Sequence, residues 1–308
     1  HMSARRQRQM CIRDRNQSPA NKRVLMFSAT IPKKILSLAS KYQKNAVRIE
    51  ATSLGKAHTD ISYETYLVKK HDIENAIFNF LRFHDDKTII IFCSTRNAVT
   101  HISSRILNRG FSVVSLSGAL NQSERFKALQ SIKNGRCKIC VATDVAARGI
   151  DLVNLDIVIH AELPHNPETL IHRSGRTGRA GNKGRSILFC SPGEKRKYEK
   201  LINSAKVRPV INKFLSQEEI ELKDNAKIIN YLSRNKKNSS SELKFANELL
   251  TRFSNEDLAL ALIENFKGKL PPIEEVESLG EDQIVQMKND RKKKKRGKQN
   301  SRRNYRKR

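Results

Sequence analysis

Between Ile61 and Cys190 the chain alternates short apolar runs with segments of helical period. The apolar runs are Ile61–Val68, Thr88–Cys93, Ser112–Leu116, Cys137–Ala142, Asp156–His160 and Ser186–Cys190, and each predicts a strand. Between them, Asp72–Phe83, Arg96–Asn108, Gln122–Asn134, Pro167–Arg176 and Glu194–Ala205 repeat apolar residues three and four apart, the period of a helix packed on one face. The run Thr88–Cys93 shows no polar alternation, which marks a parallel strand covered on both sides. Strand and helix in regular alternation imply a doubly wound α/β domain with a parallel sheet. In such sheets ligands bind beyond the carboxyl ends of the strands, so chemistry is expected in the loops that follow strands.

The flanks read differently. Val24–Phe27, then Ser28, Ala29 and Thr30, then a helical pattern opened by Pro32 form one strand–loop–helix unit, too small to fold without a sheet to join. The polar stretch Ala51–Asp60 reads as a linker. After Lys206 the pattern weakens and regains helical period over residues 241–266, where Ser254 with Asp257 predicts a capped helix start. Lys288–Arg308 holds 13 Lys and Arg against one Asp, with Tyr305 its one aromatic residue; it cannot bury a core and is expected to be a disordered basic tail. His1-Met2 reads as the scar of a cleaved tag, and residues 1–20 as disordered or partly non-native.

Charge sharpens the picture. The 308 residues carry a net charge of +29, which points to a polyanionic partner, most simply nucleic acid. No run of 18 apolar residues occurs, so no membrane span is expected, and an Arg-rich start without an apolar stretch shows no signal peptide. The five cysteines, Cys11, Cys93, Cys137, Cys140 and Cys190, suit a reducing compartment. Cys137 and Cys140 form a C-x-x-C, but no second pair completes a zinc site; they read as buried structural thiols, and no metal ligands are assigned.

The strongest chemical signal is His172-Arg173-Ser174-Gly175-Arg176-Thr177-Gly178-Arg179-Ala180-Gly181, preceded by Asn166 and Pro167 as N-cap and first helical residue. Continued as a helix, it would put Arg173, Arg176 and Arg179 on adjacent parts of one face. Clustered guanidinium groups need an anion or an acidic partner, and they match phosphate oxygens in bidentate fashion. Val141–Asp151 follows a predicted strand and ends in Arg148-Gly149-Ile150-Asp151. Ser94, Thr95 and Arg96 stand where a strand gives way to a helix, a place that favours anions. Ser117-Gly118 and Gln122-Ser123-Glu124-Arg125 follow the next strand, with Gln122 and Arg125 on one helical face.

These segments, in this order, resemble motifs III to VI of the DEAD-box ATP-dependent RNA helicases of bacterial type: Ser28-Ala29-Thr30, Ile91–Arg96, the Gly118 loop with Gln122 and Arg125, Val141–Asp151, and His172–Gly181. The resemblance covers about residues 21–205 and implies two RecA-like domains with ATP and RNA between them. It implies that Arg176 and Arg179 are arginine fingers, that His172 couples the nucleotide site to the first domain, and that Gly149 and Asp151 meet ATP. It implies that Thr95, Arg96, Gly118, Gln122, Arg125 and Thr143 contact the RNA backbone, and that Ser28, Ala29 and Thr30 link the two ligands. His160 and Glu162 stand where the family often has an aromatic residue and Asp.

No G-x-x-x-x-G-K-[ST] and no Asp-Glu-Ala-Asp occur, so the phosphate-cradling loop and the magnesium carboxylates are missing. ATP with Mg²⁺ would be bound mainly by an absent first domain, and the chain alone is expected to be inactive. The implied organisation is 1–20 disordered or non-native, 21–55 the end of the first RecA-like domain, 56–205 the helicase C-terminal RecA-like domain, 206–282 a helical extension, and 283–308 the basic tail. RNA is the expected partner, held by sequence-independent backbone contacts, with ribosomal or ribonucleoprotein assemblies as candidates, and the expected location is the cytoplasm. Two alternatives stay open: a non-catalytic RNA-binding or annealing module, and a DNA-remodelling motor of the same architecture.

Overall fold

The computed structural model describes residues 60–277 apart from 119, 148–154, 180 and 235–239, together with residues 19, 47, 49 and 279. The chain divides into two compact units, His1–Leu54 and Gly55–Arg308, and the described strands and helices lie in the second. The expected elements at Ser28, Ala29 and Thr30 and in the basic tail lie outside the described residues.

Seven parallel strands form one sheet: β1 (Ile61–Leu67), β2 (Ile89–Cys93), β3 (Val113–Leu116), β4 (Ile139–Thr143), β5 (Ile157–His160), β6 (Gly184–Cys190) and β7 (Val210–Asn212), in the order β3-β4-β2-β5-β6-β1-β7. The helices in chain order are α1 (Ile73–Phe83), α2 (Arg96–Asn108), α3 (Gln122–Lys133), the single turn α4 (Asp144–Ala147), α5 (Pro167–Ser174), α6 (Lys195–Ala205), α7 (Gln217–Arg234), α8 (Ser240–Arg252) and α9 (Asn255–Lys267). The expected doubly wound architecture, with helices on both faces, is the one observed.

The unbroken apolar run of β2 lies at the centre because it serves both layers. Ile89, Ile91 and Cys93 join the core beneath α1 and α2, while Ile90 and Phe92 join the core beneath α3 and α4. Each such side chain contributes roughly 1.5–3 kcal/mol on full burial. A third core, with Leu170 of α5 and Tyr198, Leu201 and Ile202 of α6, covers β1 and β6 on the same side as α3. Local chemistry sets the helix starts. Thr95 caps α2 by accepting from the Ala98 amide at 3.1 Å, and Asn121 with Glu124 closes a capping box on α3. Ser254 and Asp257 form the same box on α9, as their spacing predicts.

The structure departs from expectation in three places. The helix expected over Pro167–Arg176 ends at Ser174, capped at Gly175, so Arg173, Arg176 and Arg179 do not share a helical face. The sheet runs past residue 205: Val210–Asn212 adds an edge strand beside β1, too short to leave a periodic signal. The extension begins instead with α7, which is bound to α1 by a buried ion pair: Arg82 donates to Asp224 from Nε at 3.0 Å and Nη2 at 2.7 Å. α8 and α9 contribute no buried residue.

Candidate functional site

Strand order decides which loops meet. β3, β4 and β2 are neighbours although β4 follows β3 by more than twenty residues, so the loops after Leu116, Thr143 and Cys93 converge at one end of the sheet. There Thr95 and Arg96 are exposed, and a methyl group added to Gly118 would sit 3.0 Å from Nη2 of Arg96. Gly118 is therefore small so that the guanidinium can lie across it. Thr143 ends β4 nearly buried, and its Oγ1 accepts from the Ala146 amide at 3.4 Å, leaving its own O–H free to donate. The Ser94 hydroxyl, just after β2, is buried without a partner among the described residues.

Asp144 carries the chemistry from β4 to α5. It binds Arg173 in fork fashion, Nε to Oδ1 at 2.6 Å and Nη2 to Oδ2 at 2.7 Å. The Arg173 side chain is 3% exposed and its carboxylate partner 45%. Its guanidinium carbon lies 5.3 Å from the centre of the Phe92 ring, and Nη1 is buried with no partner among the described residues. For Arg173, Asp144 is the acidic partner that clustered guanidinium groups call for. A cavity of about 120 Å³ opens here, lined by Phe92, Asp144, Thr169, His172, Arg173 and Arg176. Arg125 of α3 donates from Nη2 to the Ala146 carbonyl at 2.8 Å, while Gln122 is exposed one turn away.

The segment after α5 is anchored rather than helical. Thr177 is buried and its hydroxyl reaches the Leu155 carbonyl at 2.5 Å and the Asp156 carbonyl at 3.0 Å. Gly178 has φ +67° and a methyl there would meet Ile61 Cγ1 at 2.7 Å, so both conformation and space require glycine. Arg179 folds back, Nε donating to the Gly175 carbonyl at 2.8 Å, and does not line the cavity. Beneath α5, Ser174 donates to the Leu170 carbonyl at 2.7 Å and meets Ser186 at 2.8 Å; Ser186 in turn meets His160 Nε2 at 3.1 Å. Burial, reinforced by Arg173, drives the His160 pKa well below its usual 6.5, so the ring is neutral.

Of the residues singled out by sequence, His172 and Arg176 share the cavity, Arg96 meets Gly118, and Thr143 adjoins the Asp144–Arg173 pair. Gly149, Asp151 and the Ser28-Ala29-Thr30 segment lie outside the described residues. Sequence reasoning missed Asp144, whose signal was an acid directly after an apolar strand, and the anchoring of Thr177. The four described cysteines are buried, and burial, with Glu162 and Glu194 nearby, pushes the Cys93 and Cys190 thiols up to about 12. Among the described residues no cysteine belongs to a group able to hold a metal ion, and no helix is long and apolar enough to cross a membrane.

Residues 69–181 match the family model of the helicase conserved C-terminal domain. The chain is 35% identical over 178 residues to the ATP-dependent RNA helicase DbpA of Bacillus subtilis, covering 58% of this chain and 37% of that protein. It is 35% identical over 210 residues to the ATP-dependent RNA helicase DeaD of Buchnera aphidicola, covering 66% of this chain and 34% of that protein. Among solved structures, Saccharomyces cerevisiae Dbp5 bound to RNA and ADP BeF3 superposes with a TM-score of 0.61 at 26% identity, covering 70% of this chain and 57% of that one. The chain thus spans about a third of the length of the two sequence relatives. Motif order, sheet topology and these relatives agree: the domain has the RecA-like fold, its residues 69–181 match the helicase conserved C-terminal domain, and it is similar to the corresponding part of ATP-dependent RNA helicases.

Proposed function

We propose that this chain is the C-terminal motor portion of an ATP-dependent RNA helicase that unwinds short RNA duplexes and remodels ribonucleoproteins by ATP hydrolysis. One observation carries the reading. An unsatisfied buried guanidinium N–H of Arg173, with Arg176 and His172, lines a cavity next to a strip of hydroxyl and guanidinium donors at the ends of β2, β3 and β4. An orphaned buried donor costs free energy unless an acceptor completes it, and a phosphate oxygen is such an acceptor.

On this reading Arg96, the O–H of Thr143, Gln122 and Arg125 hold RNA phosphates, with Thr95 and Gly118 shaping the approach. Such contacts carry no base information, so binding is sequence-independent. Arg176 and Arg179 stabilise the charge that develops on a transferring phosphoryl group, and Gly149 and Asp151 hold the nucleotide's sugar side. Arg179 must leave the Gly175 carbonyl to do so, which closure against a first domain would bring about. Mg²⁺ would be held mainly by the carboxylates of that first domain. When bound, it neutralises phosphate charge. Ser28, Ala29 and Thr30 would join the two ligands, and the basic tail would tether structured RNA with salt-sensitive affinity.

The test supplies a first RecA-like domain in trans and measures RNA-stimulated ATP hydrolysis. Turnover is expected with the native chain and a loss of about 10³–10⁵ with Arg176→Ala/Arg179→Ala. Undiminished turnover in the double variant overturns the reading, and comparison of RNA with DNA stimulation excludes or establishes the DNA-motor alternative.

A further inference from the structure

After α9 the chain turns back, and residues 271–277 cross α1 as an extended strap. It is held in an unusual way: side chains of one helix bind its backbone. The Asn79 amide makes two bonds to Glu274, Nδ2 donating to the carbonyl at 2.8 Å and Oδ1 accepting from the N–H at 2.8 Å. Asn75 donates to the Glu275 carbonyl at 3.1 Å, and Asp72 accepts from the Glu277 N–H at 3.2 Å. Residues 72, 75 and 79 stand on successive turns of one helical face, so α1 presents a ladder of polar groups to an extended chain. Asn79 is 2% exposed, a buried amide flanked by Phe78 and Phe80, and both of its bonds to Glu274 lie on the strap.

Side-chain contacts set a pattern on this backbone grip. Arg109, which also lies 4.0 Å over the Phe78 ring, pairs with Glu274 at 2.5 Å, and Lys69 pairs with Glu277. Val276 packs on the core beneath α1, and Leu279 is buried in the core of β1, α5 and α6. The groove therefore reads Glu-x-Val-Glu-x-Leu, with acids on Arg109 and Lys69 and apolar residues in two sockets. The strap belongs to no strand ladder, and residues 271–277 are exposed or half-buried, with Leu279 as the buried anchor; a segment held outside the ladders opens at lower free-energy cost than the sheet.

We propose that this face of α1, together with the adjoining socket for Leu279 in the core of α5 and α6, is a peptide-docking groove, filled in cis by residues 271–277 and Leu279 and open to a partner protein that offers an extended acidic–apolar segment of the same Glu-x-Val-Glu-x-Leu chemistry. Groups that read a backbone from a helix accept any extended chain with the right side-chain spacing. A tethered segment competes at an effective concentration on the order of millimolar, so a partner's segment must be locally concentrated or bind more tightly than the strap to replace it.

The test uses the full chain and a fluorescent peptide of sequence LPPIEEVESLGE, read by anisotropy. Two variants release the strap: Glu274→Pro, which removes the N–H that Asn79 accepts, and Val276→Asp/Leu279→Asp, which spoils the sockets. Binding at least about tenfold tighter to the released variants than to the native chain is expected. Adding Asn75→Ala to a released variant should weaken the peptide about fivefold, the loss of one hydrogen bond. Adding Arg109→Glu should weaken it further, and a peptide with Lys in place of the first Glu should restore binding to that variant. The charge-swap rescue cannot arise from a merely damaged fold. Equal binding to native and released chains, or binding indifferent to Asn75→Ala and to the charge swap, overturns the proposal.

Discussion

Among the described residues Arg82 and Arg173 are the buried arginines, each paired with a carboxylate, and the two pairs differ in what surrounds them. Arg82 and Asp224 join α1 to α7 with both side chains shut away, 8% and 2% exposed, and with Lys227 completing the carboxylate at 3.1 Å. Arg173 and Asp144 join α5 to the turn after β4, but here the acid is half open and one guanidinium nitrogen has no partner. The carboxylate of the first pair is met on both oxygens, by Arg82 at Oδ2 and Lys227 at Oδ1, and it holds the extension in place, although Arg82 also lines a cavity of about 290 Å³. The second is equally well formed in distance yet incomplete, and it borders a cavity. Buried ion pairs gain little net stability over a well-packed apolar pair; the unsatisfied valence is what separates a binding site from a structural clamp.

Breaking the pairs one partner at a time gives the largest expected effects. Asp224→Ala strands a buried cation and Arg82→Ala a buried anion, and each should cost about 3–5 kcal/mol in urea unfolding, while Arg82→Met/Asp224→Leu should recover most of it. The site pair should be asymmetric: Asp144→Ala strands Arg173 and costs about 3 kcal/mol, whereas Arg173→Met leaves an acid that water can reach and costs less than half as much. Equal costs for the two partners at both pairs would erase the distinction drawn here.

A smaller effect separates two glycines that follow Arg176. Gly178→Ala adds a methyl 2.7 Å from Ile61 Cγ1 at a positive φ, and should destabilise by about 2–4 kcal/mol. Gly181, at φ +81° with open space around it, should cost only about 1–2 kcal/mol as alanine. Thermal melts of the two variants distinguish strain from clash.

The smallest effect is in pH. Burial, then the charges of Arg185 and Lys223, lower the His84 pKa to about 4, and His160 at the site is held neutral by burial and Arg173. In each case the unfolded ring, with its ordinary pKa of 6.5, takes up a proton before the folded one. Stability is therefore complete above about pH 6.5 and falls as pH drops toward 4. Denaturation midpoints measured across that window should decline, and His84→Gln should flatten part of the slope. An unchanged slope would mean that His84 is not held neutral in the fold.

Much of this was legible beforehand because it is local. The continuous apolar run of β2 could only be a strand buried on both faces, and the caps at Thr95, Asn166 and Ser254 work through residues three positions away. The cluster His172–Gly181 stood out through composition alone, and His172, Arg173 and Arg176 from it do line one cavity. The end of α5 was misjudged because Thr177 and Gly178 are fixed by Leu155, Asp156 and Ile61, which periodicity cannot see.

Residue order by itself determined the strand–helix alternation, the parallel sheet and the set of residues able to meet phosphate, since these follow from side-chain period and from which groups can carry charge. Only the tertiary structure decided that Asp144 completes Arg173 and leaves one nitrogen open, that Val210–Asn212 extends the sheet, and that Asn79 grips Glu274 across 195 residues of sequence. Those outcomes depend on which loops the strand order brings together. That order is a property of the folded sheet, because pairing between distant strands is set by what each must bury and by no signal within either.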